Sequence, residues 1–127
     1  MDREPFDLTL REVSNAILDG SLSAQDLTDS VLKRVDETEP LVNAYITRLD
    51  NDARRQAAVV DNEIAGGRYR GPLHGIPFAF KDLYDTAGIV TTNGSGFLAE
   101  RIPEVDAVVV TKLKEAGIVL IGKLNMV

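Results

Sequence analysis

The sequence has no cysteine and no tryptophan, and its single histidine is His74. Without cysteine there is no disulfide, no thiolate nucleophile and no thiolate-ligated metal. With one histidine, a zinc site would need several carboxylates in an unusual geometry, so neither a metal nor another cofactor is expected. No apolar run approaches the ~18 residues that span a bilayer. The opening Met1-Asp2-Arg3-Glu4-Pro5 has no apolar stretch of the kind a secretory signal carries. These absences make a cytoplasmic protein the expectation, with no membrane partner. Basic residues are scattered and the net charge is -6, which argues against direct nucleic-acid binding, since phosphates call for clustered Lys and Arg.

What is present is ordinary for a globular domain: 44% apolar and 27% charged residues over 127 positions, one domain at most. Thr9-Leu10-Arg11-Glu12 is a capping box opening a helix over 9–19, with Leu10, Val13, Ile17 and Leu18 at helical spacing and Gly20 as its stop. A second helix starts at Ser23 and carries Leu27, Val31, Leu32 and Val35 on one face. Glu39-Pro40 should end it, because the residue before proline is pushed out of the helical region. Val42 to Thr47 alternates as a short strand would. An alanine-rich third helix follows over about 50–65, with Ala57, Ala58, Val59, Val60 and Ile64 on its apolar side and Gly66-Gly67 at its close.

The stretch 71–92 is different in kind. Glycine and proline punctuate a turn, a short apolar run spans Ile76 to Phe80, and the run ends on Lys81 and Asp82. Asn93-Gly94-Ser95-Gly96 is a loop by composition. Asp106 is the expected N-cap of a fourth helix over 107–116, whose Val108, Val109, Val110 and Leu113 cover a wide arc and predict more burial than in the first two helices. Ile118 to Ile121 is uninterrupted and apolar, the pattern of a strand buried on both faces in a parallel sheet. Strand 76–80, helix 107–116 and strand 118–121 thus predict a βαβ unit. The strand ends at Lys81 and at Lys123-Leu124-Asn125-Met126 would then be neighbours, where such folds place functional groups. A chain stopping at Val127, just past a buried strand, reads as the N-terminal piece of something larger. The open sheet edge that this leaves favours association, a homo-oligomer included.

Alternation along 76–82 puts Ile76, Phe78 and Phe80 on one face and Pro77, Ala79 and Lys81 on the other. Lys81 then emerges beside small residues. Partial burial there would favour the neutral amine and let it serve as a base. The competing reading is a strand-end lysine balanced by Asp82 or Asp85, with those carboxylates also capping amides. His74, in Gly-Pro-Leu-His-Gly, is expected to satisfy backbone groups of its turn. The chain contains neither a Gly-x-Ser-x-Gly elbow nor a phosphate-binding Gly-x-x-x-x-Gly-Lys-Ser/Thr loop, so Ser95 has no motif that makes it a nucleophile.

Gly71-Pro-Leu-His-Gly-Ile-Pro-Phe-Ala-Phe-Lys81-Asp-Leu-Tyr-Asp-Thr-Ala-Gly88, followed by Thr91-Thr92 and Gly94-Ser95, resembles the amidase signature family. Asp106-Ala107, the helix end at Leu113 to Gly117, and Val119-Leu120-Ile121-Gly122-Lys123-Leu124-Asn125-Met126 match the same family in the right order, from about Leu8 onward. The resemblance implies an α/β fold, the N-terminal part of the amidase-signature fold. Helices would pack on a mixed sheet, with the βαβ unit around strands 76–81 and 118–122. Residues 1–127 would be a fragment of a single amidase domain, with a helical opening over 8–66 and the start of the catalytic core over 71–127.

The resemblance also implies a Ser–Ser–Lys mechanism on amide bonds: a nucleophilic serine, a bridging serine and a lysine at the position of Lys81 as the ultimate base. Met126 would border the substrate pocket. Neither family serine is in this chain. Ser14, Ser21, Ser23, Ser30 and Ser95 all lie outside the Gly-Gly-Ser-Ser-Gly-Gly-Ser pattern, so the chain alone is expected to be inactive. The substrate would be a small-molecule amide. Two activities fit: a stand-alone amidase, which Asn93 to Leu98 and Arg101 to Asp106 favour, or the A subunit of the glutamyl-tRNA(Gln) amidotransferase, which Gly-Lys-Leu-Asn-Met suits. An inactive truncated fragment or interaction module is the reading from a different class.

Overall fold

The computed structural model describes residues 3–126. A short 3-10 turn, Pro5–Asp7, precedes α1 (Leu10–Asp19) and α2 (Ala24–Val42). Then come β1 (Tyr45–Arg48), α3 (Asp50–Ala65), β2 (Pro77–Lys81), a 3-10 turn at Gly96–Leu98, α4 (Val108–Glu115) and β3 (Val119–Leu124). β3 lies in the middle of a three-stranded mixed sheet, antiparallel to β1 and parallel to β2. The helices and this sheet make the α/β architecture expected from the sequence.

Local chemistry explains most element boundaries. Thr9 and Glu12 form the reciprocal capping box, and Gly20 closes α1 in the left-handed region at φ 83°. Ser23 caps α2 through the Asp26 amide, and Asp61 of α3 accepts from the Ala24 and Gln25 amides, tying the two helices together. α2 runs through Pro40 rather than ending before it. Proline near the last turn forfeits one hydrogen bond only. The carboxylate of Glu39 accepts from the Ala44 and Tyr45 amides, and its carbonyl takes the amide of Asn43, which turns left-handed at φ 46°.

The sheet is covered differently on its two faces. Val119 and Ile121 pack with Ala24, Leu32, Ala53, Ala57 and Val60 from α2 and α3. Ile118 and Leu120 pack with Phe80 and with Val110 of α4. β3 is therefore buried on both faces, as its continuous apolarity predicted. The α3 stripe is Ala53, Ala57 and Val60, while Val59 turns outward. α4 departs from expectation more strongly. Val110 alone of its valines is buried, and Val108 and Val109 face out at 72% and 42% exposure. Three consecutive valines span most of a helical turn, so they cannot all face one sheet.

Register across the sheet carries one irregularity of consequence. Phe78 pairs with Leu120, but Ala79 pairs with Gly122 and Phe80 with Lys123. Ile121 is thus an extra residue in β3, and such a bulge turns everything after it to the other face. By simple alternation Lys123 would follow Val119 and Ile121 toward α2 and α3. The bulge sends it instead to the Phe80 face.

Candidate active site

The carboxyl ends of β2 and β3 lie side by side, with Lys81 paired to Leu124 and the Asp82 amide donating to the Leu124 carbonyl at 2.9 Å. Two lysines therefore stand within one residue of each other across the ladder, in opposite surroundings. Lys81 is exposed, whereas Lys123 is fully buried.

Asp82, also fully buried, is the carboxylate that meets Lys123, at 3.5 Å. The Lys123 Nζ further donates to the Thr91 hydroxyl at 2.7 Å and to the Tyr84 carbonyl at 3.1 Å. Thr91 spends its own proton on the Ile89 carbonyl, so its oxygen must accept from the lysine. Two N–H groups thus find hydrogen-bond acceptors, and the Asp82 carboxylate stands at ion-pair distance beyond them. Burial pushes the Lys123 pKa below the ordinary lysine value, and the charge of Asp82 acts against that shift. The adjacent Asp82 charge favours the ammonium, and full burial keeps Lys123 from solvent.

Asp82 is held from several sides at once. Its Oδ2 accepts from the Thr92 amide at 3.0 Å and from the Thr92 hydroxyl, which in turn accepts from the Gly94 amide. Its carbonyl takes the Asn93 amide at 3.0 Å. Asn93 and Gly94 both turn left-handed, at φ 54° and 72°. A side chain on Gly94 would also strike Met126, 2.9 Å from its Cγ. Met126 is half-buried against this loop, and the structure thereby brings the 93–96 loop, the Asp82 carboxylate and the end of β3 together.

The carboxylates do not serve Lys81 as the sequence suggested. Asp82 pairs with Lys123, because the β3 bulge delivers that lysine to its face. Asp85 forms a bidentate pair with Arg101 at 2.8 and 2.9 Å, and these hydrogen bonds hold its pKa below the usual carboxylate range. Asp106 does not cap α4, whose N-cap is Ala107; it accepts from the Ala87 amide and the Lys114 ammonium instead. The expected partial burial of Lys81 is likewise absent. Pro77 and Ala79 are half-buried, but Lys81 at the end of the strand is exposed. Two grooves of this surface are lined by other residues. One is bounded by Gln56, Glu63, Ile118 and Leu120, another by Leu10, Leu18, Tyr69 and Pro72. Lys81 stands at an open sheet end rather than in either.

His74 is buried, as a turn-satisfying histidine would be. Its Nδ1 accepts from the Arg70 amide at 3.1 Å, which places the proton on Nε2. The ring packs so closely on Gly117 that a Cβ there would come within 2.4 Å of it. This histidine is part of the turn preceding β2, away from the sheet end.

The helices and mixed sheet of this chain have counterparts in known proteins. The Amidase family profile matches residues 26–127, and the chain belongs to that family. It is 43% identical over 120 residues to the A subunit of glutamyl-tRNA(Gln) amidotransferase from Desulfatibacillum aliphaticivorans, covering 94% of this chain and 24% of that protein. It is 45% identical to the same-named protein of Desulforudis audaxviator over 121 residues, covering 95% and 25%. The solved peptide amidase of Stenotrophomonas maltophilia superposes with a TM-score of 0.87 at 35% identity, over 94% of this chain and 25% of that one. The chain spans about a quarter of the length of the curated relatives it matches.

Proposed function

We propose that Lys81 is the base of an amide-hydrolysing centre of the Ser–Ser–Lys type. A nucleophilic serine attacks the amide carbonyl; its proton passes through a bridging serine to the Lys81 amine and then leaves with the departing ammonia, and water releases the acid. The observation that carries this reading is the contrast between the two strand-end lysines. Lys123 is fully buried, hydrogen-bonded to Thr91 and Tyr84 and paired with Asp82, whereas Lys81 is exposed at the strand end. Among the described residues no ion pair involves Lys81, and the nearby carboxylates are engaged by Lys123 and Arg101. Met126, held against Gly94 beside the end of β3, is proposed as a wall of the substrate pocket.

The serines of the family pattern are not among Ser14, Ser21, Ser23, Ser30 and Ser95. Residues 1–127 alone should therefore release no ammonia from small amides above background. A polypeptide joining them to the family's glycine–serine loop should release it. Robust turnover by the sequence-verified 127-residue chain would overturn the assignment of the nucleophile to residues outside it.

A second reading keeps the chemistry and changes the amide. The curated relatives quoted above carry the amidotransferase name at 43–45% identity, above the 35% of the peptide amidase, which favours glutamine as the ammonia donor. Ammonia release assayed with glutamine and with aryl and aliphatic amides separates the two. Preference for glutamine supports the amidotransferase reading, and indifference to glutamine supports a stand-alone amidase.

A further inference from the structure

We propose that Lys123 is a positioning residue for Lys81, its buried ammonium fixing the turn on which the base stands. This rests on the reading of Lys81 as the base. The turn is closed by the Tyr84 amide donating to the Lys81 carbonyl at 3.1 Å, so Lys81 and Tyr84 are its two ends. Lys123 binds inside that turn, at the Asp82 carboxylate, and at its far end, at the Tyr84 carbonyl. Its third partner, Thr91, carries the backbone into Thr92, which grips the other oxygen of Asp82. One cation thus ties the turn to β3 and to the 91–94 segment.

Side-chain direction follows from this. Successive strand residues point to opposite faces, so Lys81, the last residue of β2, points away from the Phe80 face where Lys123 lies, and the turn pinned by Asp82 holds it there. Both the Asp82 backbone amide and its carboxylate are anchored, which leaves the Lys81 Cα little freedom to move. The Asp82 Oδ1 has no hydrogen bond within normal reach, and its one counter-charge is Lys123. Removing that cation therefore releases the pin beneath the base, and a base displaced by about 1 Å costs on the order of 10²-fold in rate.

The test is made in the polypeptide that joins these residues to the family's serine loop. Lys123→Met alone leaves Asp82 buried without its counter-charge, and its loss of activity would include loss of fold. The paired variant Lys123→Met/Asp82→Asn removes both charges together. We expect it to melt cooperatively and to hold KM, while kcat falls on the order of 10- to 100-fold. Thr91→Val, which keeps the ion pair and removes one acceptor, should lose less kcat in the same direction, again at constant KM. Wild-type kcat in either folded variant overturns the proposal. Lys81→Ala run in parallel separates the two claims. If it abolishes turnover while the paired variant does not, positioning alone fails; if it retains wild-type turnover, the base assignment fails and the positioning role with it.

Discussion

His74 shows how a single buried residue makes the fold sensitive to mild acid. Burial lowers its pKa from the ordinary value near 6.5, with the Arg70 charge adding to the shift and Glu63, 3.8 Å from Nε2, opposing it. A second proton could go only to Nδ1, where it would displace the Arg70 amide. The folded state therefore binds this proton less readily than the unfolded chain does. Stability from this source is complete above about pH 6.5 and is lost as pH falls through and below that value. Urea midpoints measured at pH 7.5 and 5.5 should drop at the lower pH in the wild type. The drop should shrink in His74→Asn, whatever that variant's absolute stability. An equal drop in both proteins would assign the effect to other groups. At the same scale, leaving either partner of the Lys123–Asp82 pair alone in the interior should cost about 3–5 kcal/mol, measurable by Lys123→Ala denaturation.

At the scale of elements, β3 organises the molecule, and Gly122 lets β1 approach it. A Cβ at Gly122 would lie 2.5 Å from the Thr47 carbonyl oxygen and 2.7 Å from the Tyr45 ring. The backbone contact cannot swing aside as a side chain could. Gly122→Ala should destabilise the chain by about 1–3 kcal/mol, read from thermal or chemical melts, by forcing β1 outward. An unchanged melting temperature would show that β1 is not held as closely as described. Signals of this kind decided which elements were legible. The Thr9 capping box, the Ser23 cap, the alanine-rich α3 and the continuous apolarity of β3 are each local statements, and each predicted its element. Pro40 and Asp106 misled because tertiary partners intervened: Glu39 binds amides beyond the proline, and Ala87 and Lys114 take Asp106. The β3 bulge leaves no local mark on the sequence. Without it, the role of Lys123 could not be read from Gly-Lys-Leu-Asn-Met.

At the scale of the whole molecule, the surface carries apolar side chains that are usually covered. Phe97 is fully exposed, and Ile102, Val105 and Val108 stand out at 55%, 75% and 72%. β1 and β2 each present an open edge of the sheet. The 127-residue chain should therefore self-associate as its concentration rises, seen as a growing mass by light scattering; a constant monomer mass would contradict this. Among the described residues, no helix is long and apolar enough to cross a membrane. Of the proposed site, the sequence motif put Lys81 at the end of a strand, where the structure also has it. It concealed that the two aspartates beside Lys81 belong to other cations.

The central claim is that Lys81, and not its buried neighbour Lys123, accepts the proton during amide cleavage. Its most direct test is kcat/KM for amide hydrolysis by Lys81→Ala in the polypeptide that joins these residues to the serine loop. Each sample should be corrected for its folded fraction. The account predicts a loss of about 10²- to 10⁴-fold with the melt unchanged, because an exposed strand-end lysine holds nothing else in place. Turnover near the wild-type value would contradict it.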